Sequence, residues 1–289
     1  MLFEEQLAPN RAAGRRVMVS YGGGVNSVAV LVRLAALGCI PDCIVMANPG
    51  SEHAATIRYR DKILPAWLDR MGFPRVVEIT RAAEGLARPR AWRLETLEAE
   101  CRRTSTLPSI AYGWKKCSQK YKAQPQRWWA ACNAKFLDEW KAGRRIVKVI
   151  GYDAGESNRV RGAFQDKWEN KRFVPWYPLV ECKWDREECE RQIRAAGLEV
   201  PTKSACTFCP NNTLEEWEQL RQEEPEAFER AVAMSRAAER GLESPDVVGL
   251  MRCNKQGRRQ LHVWAEGGYD HCPLGGYTDE ESMPCECAL

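Results

Sequence analysis

Short apolar runs alternate with longer mixed runs along the first two hundred residues. Residues 16–19 form a brief β-prone run, and residues 28–37 form an apolar stretch of helical length closed by Gly38. Residues 43–47 are a second strand, followed by a helix over about 54–70, and residues 75–80 are a third strand. The segment 82–142 is less regular, rich in Arg, Trp and Cys, and reads as helices with loops. Residues 145–150 restore the strand period. Farther on, Asp185 caps a helix reaching about Ala196 and stopped by Gly197, Thr213 and Glu216 form a capping box, and another helix covers 226–240 behind Pro225. Strands alternating with helices predict an α/β fold with a parallel sheet covered by helices on both faces, and ligands beyond the carboxyl ends of the strands. Three regions follow: an arm over 1–15, an α/β domain over 16–183, and a smaller helical, irregular, Cys-containing region over 184–289 whose last fifty residues carry no assignable elements.

Between the first strand and its helix lies Ser20, Tyr21, Gly22, Gly23, Gly24, Val25, Asn26, Ser27. Three glycines permit positive φ and close approach of backbone to a ligand, and the helix start behind them offers free amides to an anion. No lysine follows the glycines, so the Gly-Lys-Ser/Thr phosphate loop is excluded, and the dinucleotide Gly-x-Gly-x-x-Gly spacing is not met.

Composition narrows the class. At 289 residues and 44 % hydrophobic, the chain can bury one α/β core and a smaller appended one. Net charge is only +4, yet basic residues clump at Arg88 to Arg93, at Lys116, Lys120 and Lys122, at Arg144 and Arg145, and at Arg159, Arg161, Lys171 and Arg172. Tryptophan and tyrosine among them, including Trp128 and Trp129, suit either a polyanion or ordinary packing and a solvated mixed-charge face. No leader segment and no membrane-length apolar run is visible, so a cytoplasmic, membrane-free protein is expected. Thirteen cysteines in a reducing compartment point to metal ligation, thiol chemistry or core filling rather than to disulfides. The three histidines share no spacing, and no Ser-His-Asp signature occurs.

Taken in order, the glycine loop, Ser118-Gln119-Lys120 behind Cys117, the run from Gly151 to Arg161, Tyr177-Pro178-Leu179, and the Cys-x-x-Cys of Cys206 and Cys209 resemble the phosphoadenosine phosphosulfate (PAPS) reductase-like branch of the PP-loop ATP pyrophosphatases over roughly residues 15–215. The resemblance implies a Rossmann-like fold of the adenine-nucleotide α-hydrolase kind, binding ATP with Mg2+. It gives Ser20, Gly22, Gly23, Gly24, Asn26, Ser27, Gly151 and Ser157 to the phosphates, and Ala47, Asn48, Gly50 and Glu52 to the nucleoside side. Ser27, Glu156, Arg159 and Arg161 become the catalytic set. The implied reaction adenylates an acceptor and releases pyrophosphate, the acceptor being a transfer RNA, DNA or a small metabolite, with a sulfur donor as co-substrate. Three positions depart from the pattern: Asn26 stands for the loop aspartate, Asn48-Pro49 for Asp-Thr, and Asp153 for an arginine.

The same resemblance implies a [4Fe-4S] cluster on Cys117, Cys206, Cys209 and a fourth ligand such as Cys287; zinc, or no metal, are the other readings of these cysteines. Glu286-Cys287 near the end is half of a reductase motif, which keeps a sulfonucleotide reductase using Cys287 and thioredoxin open. A nucleotide-binding subunit without turnover is the third reading, favoured by Asn26 and Asn48. A homodimer is left open.

Overall fold

The computed structural model describes residues 14–86, 93–114, 116–162, 167–239, 249–251 and 260–267. Five strands form one parallel sheet: β1 (Val17–Ser20), β2 (Cys43–Asn48), β3 (Val76–Thr80), β4 (Ile146–Ile150) and β5 (Phe173–Trp176), in the spatial order β3-β2-β1-β4-β5. Register is set by Val19 beside Ile44 and Val149, and by Val147 beside Val174. The order reverses direction between β1 and β4, and that switch point is where open α/β sheets bind ligands. The fold is therefore the Rossmann-like α/β architecture that the alternating pattern predicts.

Period-two alternation sorts the strand side chains onto two covered faces. Val17, Val19, Ile44, Met46, Val147 and Val149 pack against α1 (Val25–Ala36), while Met18, Val45, Ile79, Ile146 and Phe173 form the opposite face. Helix α1 is apolar nearly all round and is buried along most of its length, each fully buried Val or Leu contributing about 1.5–3 kcal/mol before entropy. It starts three residues earlier than the apolar run suggests. Its end is a left-handed cap: Gly38 at φ 59° lets its own amide reach the Ala35 carbonyl and the Cys39 amide reach that of Leu34. The edge strand β5 carries Pro175, tolerated where no further strand follows.

Two helices change pitch before a proline. The helix foreseen over 54–70 is α2 (Ala54–Arg58), a π-helical turn Tyr59–Ile63, and α3 (Leu64–Arg70) containing Pro65. Likewise a turn Lys116–Ser118 runs through the π-helical Gln119–Ala123 into α5 (Gln124–Ala130) containing Pro125, after α4 (Leu97–Thr104). Proline has no amide to continue the ladder, and a wider turn absorbs the break. Helices α6 (Ala134–Lys141), α7 (Ser157–Gly162), α8 (Lys167–Arg172), α9 (Pro178–Glu181) and α10 (Arg186–Ala195) complete the sheet region. Although the sequence places residues 184–289 in a separate region, Cys189 and Ile193 of α10 and Leu198 pack into the same core as α1. A second core joins α4 with α11 (Leu214–Glu223), α12 (Pro225–Ala237) and α13 (Leu261–Ala265) around Trp217, Phe228 and Phe208. The expected capping box is present, Thr213 and Glu216 each satisfying the other's amide.

The basic and aromatic residues over 121–129 are largely interior. Tyr121 and Trp128 flank the buried Arg81, Trp129 meets Phe136 edge to face at 5.9 Å, and Lys122 is buried. Arg127 and Lys148 share Glu169, at 3.3 and 3.0 Å. Burial pushes the Glu169 carboxyl up, but the charges of Lys148 and Arg127 outweigh it and the net shift is downward. A lowered carboxylate pKa contributes stability that is complete above the ordinary value near ~4.3 and is lost as pH falls through the lowered one. Glu169→Gln is thus expected to be less stable at pH 7 and to lose less on acidification; urea midpoints from pH 7 to 3 with parallel slopes would contradict this.

Candidate functional site

The switch point is built from the end of β1 and the end of β4. After Ser20 the chain turns through Gly23, at φ 86°, where a Cβ would lie 2.6 Å from the Thr56 methyl, so the loop is drawn tight against α2. Gly24 then caps α1 without a side-chain acceptor, leaving the first amides to face the crevice. From the other side Gly151 presses onto the first turn of α1: a Cβ there would lie 2.8 Å from the Asn26 carbonyl oxygen and 3.1 Å from the Ser27 amide. The sequence-assigned Gly22, Gly23, Gly24 and Gly151 are thus brought together.

The polar residues are arranged differently from the implied roles. Ser20 is buried and its hydroxyl donates to Gln126 Oε1 at 2.8 Å, and Ser27 Oγ donates back to the Gly24 carbonyl at 2.7 Å. Asn26 Nδ2 donates to Asp153 Oδ2 at 3.0 Å and to Glu156 Oε2 at 2.9 Å, so this amide ties α1 to the turn after β4. Two departures from the resembled pattern, Asn26 and Asp153, are therefore one exchange in direct contact. Asp153 and Glu156 cap each other's amides reciprocally, at 3.3 and 3.1 Å. Arg159 Nη1 pairs with Glu156, and its guanidinium lies 4.4 Å from the centroid of Tyr152, which itself stacks on Tyr177. Asn26 Oδ1 and Arg159 Nη2 are buried with no partner among the described residues. The side chains of Ser157 and Arg161 lie outside the described residues.

The segment after β2 is held from two directions. Asn48 Oδ1 accepts the Gly50 amide at 2.8 Å, and Gly50, at φ 102°, sits against Thr96 at the start of α4. Ala47 is buried at the end of β2. Glu52, expected beside the nucleoside, is interior: Oε1 pairs with Lys122 Nζ at 2.7 Å and Oε2 lies 3.0 Å from Ser204 Oγ, which also reaches the Gly22 carbonyl at 2.6 Å. A single bridge between Glu52 and Cys206 fastens the cysteine loop here. Lys122, Ser204 and Gln126 were not singled out from sequence; a buried cation looks like any other member of a basic run until the fold places it.

Cys206 and Cys209 are buried on one turn, the Cys209 amide bonding the Cys206 carbonyl at 2.9 Å, and Cys117 is half-buried nearby. Burial pushes the Cys206 thiol far up and that of Cys209 up to about 11. Such thiols are neutral and unreactive as they stand. Five residues are candidate fourth ligands: Cys101 is described and buried, while Cys287, Cys272, Cys285 and His271 lie outside the described residues, and among those described no three His, Cys, Asp or Glu side chains gather as a metal set. The described cysteines alone do not complete the ligand set for a cluster or for zinc. No described helix is long and apolar enough to cross a membrane. No protein-family model and no curated protein matches this chain.

Proposed function

We infer that this chain is a PP-loop ATP pyrophosphatase, binding ATP at the switch point and transferring the adenylyl group to an acceptor oxygen with release of pyrophosphate. The observation that carries the reading is a glycine loop opening an uncapped helix start, with the Glu156–Arg159 pair joined to that helix through Asn26. Backbone amides at a helix start, with a guanidinium close by, stabilise charge on phosphate oxygens, and no side-chain nucleophile is needed. Glu156 holds Arg159 in place, Tyr152 supports the guanidinium from its face, and Asn26 fixes the two walls of the crevice to each other. Asp153 and Glu156 are carboxylates beside the loop, oxygen donors of the kind magnesium takes when it arrives with a triphosphate, where it neutralises phosphate charge.

Purified protein with ATP and magnesium is expected to yield AMP and pyrophosphate, and Arg159→Ala to slow this about 100-fold or more, the usual loss for one preorganised donor. ADP and phosphate as products would overturn the reading. A second reading, a nucleotide-binding subunit without turnover, is favoured by the Asn26 amide being tied to two carboxylates. It predicts bound ATP with no products of either kind.

A further inference from the structure

Away from the switch point, α4 and the segment 104–121 enclose a cavity of about 290 Å³. Its floor is apolar, with Leu97, Leu107 and Pro108, and Lys116 and the half-buried thiol of Cys117 stand on its wall. The volume sits at the lower limit of small-molecule sites, about 300 Å³, so the occupant is smaller than a drug-sized ligand.

The hydrogen-bond inventory of the wall is one-sided. Ser109 Oγ accepts the amides of Lys116 and Cys117, at 3.1 and 2.8 Å, which uses its lone pairs and leaves its hydrogen to donate. Tyr112 Oη accepts the Leu107 amide at 3.0 Å and keeps its hydrogen as well. Glu100, the carboxylate on this wall, is taken by Lys120 and by the Tyr121 hydroxyl. Thr104 and Thr106 bond each other and the Glu100 carbonyl. Two hydroxyl donors and the Lys116 ammonium therefore meet no acceptor in the wall, and the matching ligand is acceptor-rich and anionic. Beside Lys116 stands Trp114, 61 % exposed, the most exposed large apolar side chain among those described, with Lys116 Nζ 4.9 Å from the ring centroid. An exposed indole face next to a cation suits a stacked base and its phosphate.

We propose that this cavity and Trp114 hold one unit of a single-stranded nucleic acid, its phosphate in the pocket beside Lys116 and its base on the indole. This rests on the ATP pyrophosphatase reading, for which it supplies the acceptor class. It also narrows the nucleic-acid contact to the start of the basic aromatic stretch, because Tyr121, Lys122 and Trp128 farther along it are buried.

The test is fluorescence anisotropy of a labelled single-stranded 12-mer, RNA and DNA in separate arms, on the full chain with a non-hydrolysable ATP analogue and magnesium present. Trp114→Ala is expected to weaken binding tenfold or more, and Lys116→Ala to lower the salt slope by about one unit. Both exposed substitutions should leave the affinity for the ATP analogue unchanged. Oligonucleotide affinity indifferent to both substitutions would overturn the proposal. So would full displacement of the oligonucleotide by free AMP at equal concentration, which would assign the cavity to a mononucleotide. Oligonucleotide binding lost in a crevice variant such as Gly151→Ala but kept in Trp114→Ala would put the strand at the loop, overturning the pocket while leaving the ATP reading standing.

Discussion

Gly151→Ala is expected to lower pyrophosphate release about 100-fold, the loss that follows a displacement of order 1 Å at a reacting centre. The added methyl would lie 2.8 Å from the Asn26 carbonyl oxygen, 2.9 Å from its carbon and 3.1 Å from the Ser27 amide. All three are backbone atoms of the first turn of α1, so no side chain can swing aside. The end of β4 and the start of α1 must separate, which opens the crevice between the loop amides and Arg159. Overpacking of this kind costs about 1–3 kcal/mol, a fall in melting temperature of about 5 °C at roughly 2–4 °C per kcal/mol. Gly197→Ala is the control: its φ of 75° strains a side chain by about 1–2 kcal/mol, yet open space surrounds it far from the loop. Equal turnover in the two variants, compared at equal folded fraction, would show that the contact between Gly151 and Asn26 does not shape the site.

How much of this was legible beforehand can be argued residue by residue. The alternation of apolar runs set strand order along the chain and hence the parallel sheet; glycine chemistry marked Gly23, which holds φ 86° against the Thr56 methyl, and the resemblance marked Gly151, whose missing Cβ lets backbone approach backbone. Spatial strand order was not legible, since nothing local says that β4 lies beside β1. Side-chain partners were least legible of all. Asn26 looked like a phosphate contact and is tied to Asp153 and Glu156; Glu52 looked like a nucleoside contact and lies buried on Lys122; Trp128 and Trp129 suited stacking or packing, and Trp128 is buried while Trp129 packs on Phe136. Each had two physically sound destinies, and for Asn26 and Glu52 the partners lie 70 to 130 positions away in sequence.

Lys122→Met is expected to be the most damaging substitution outside the crevice. Lys122 and Glu52 expose 4 % and 0 % of their side chains and sit 2.7 Å apart. Removing one partner strands the other charge in the interior and costs about 3–5 kcal/mol, whereas removing both leaves an apolar contact that is close to neutral. The single variant should therefore melt about 10 °C lower, and Lys122→Met with Glu52→Met should recover most of that loss. Burial is the largest single influence and would push the Lys122 ammonium down, but the charge and hydrogen bond of Glu52 together with the neighbouring Cys206 and Cys209 outweigh it and the shift is upward. A raised amine pKa gives stability that is complete below its unfolded value near ~10.4 and is lost only as pH rises past the folded one. Lys122 itself should consequently add no pH dependence to the stability of the unsubstituted chain between pH 6 and 9. Glu52 also touches Ser204, whose one hydroxyl hydrogen faces two acceptors, Glu52 and the Gly22 carbonyl of the glycine loop. In the double variant that hydrogen has only Gly22 left. Stability regained together with turnover would make the pair a structural bolt between the two cores; stability regained with turnover still depressed would mean that the Glu52 carboxylate sets the loop through Ser204. Thermal losses that simply add in the double variant would refute the buried-pair account itself.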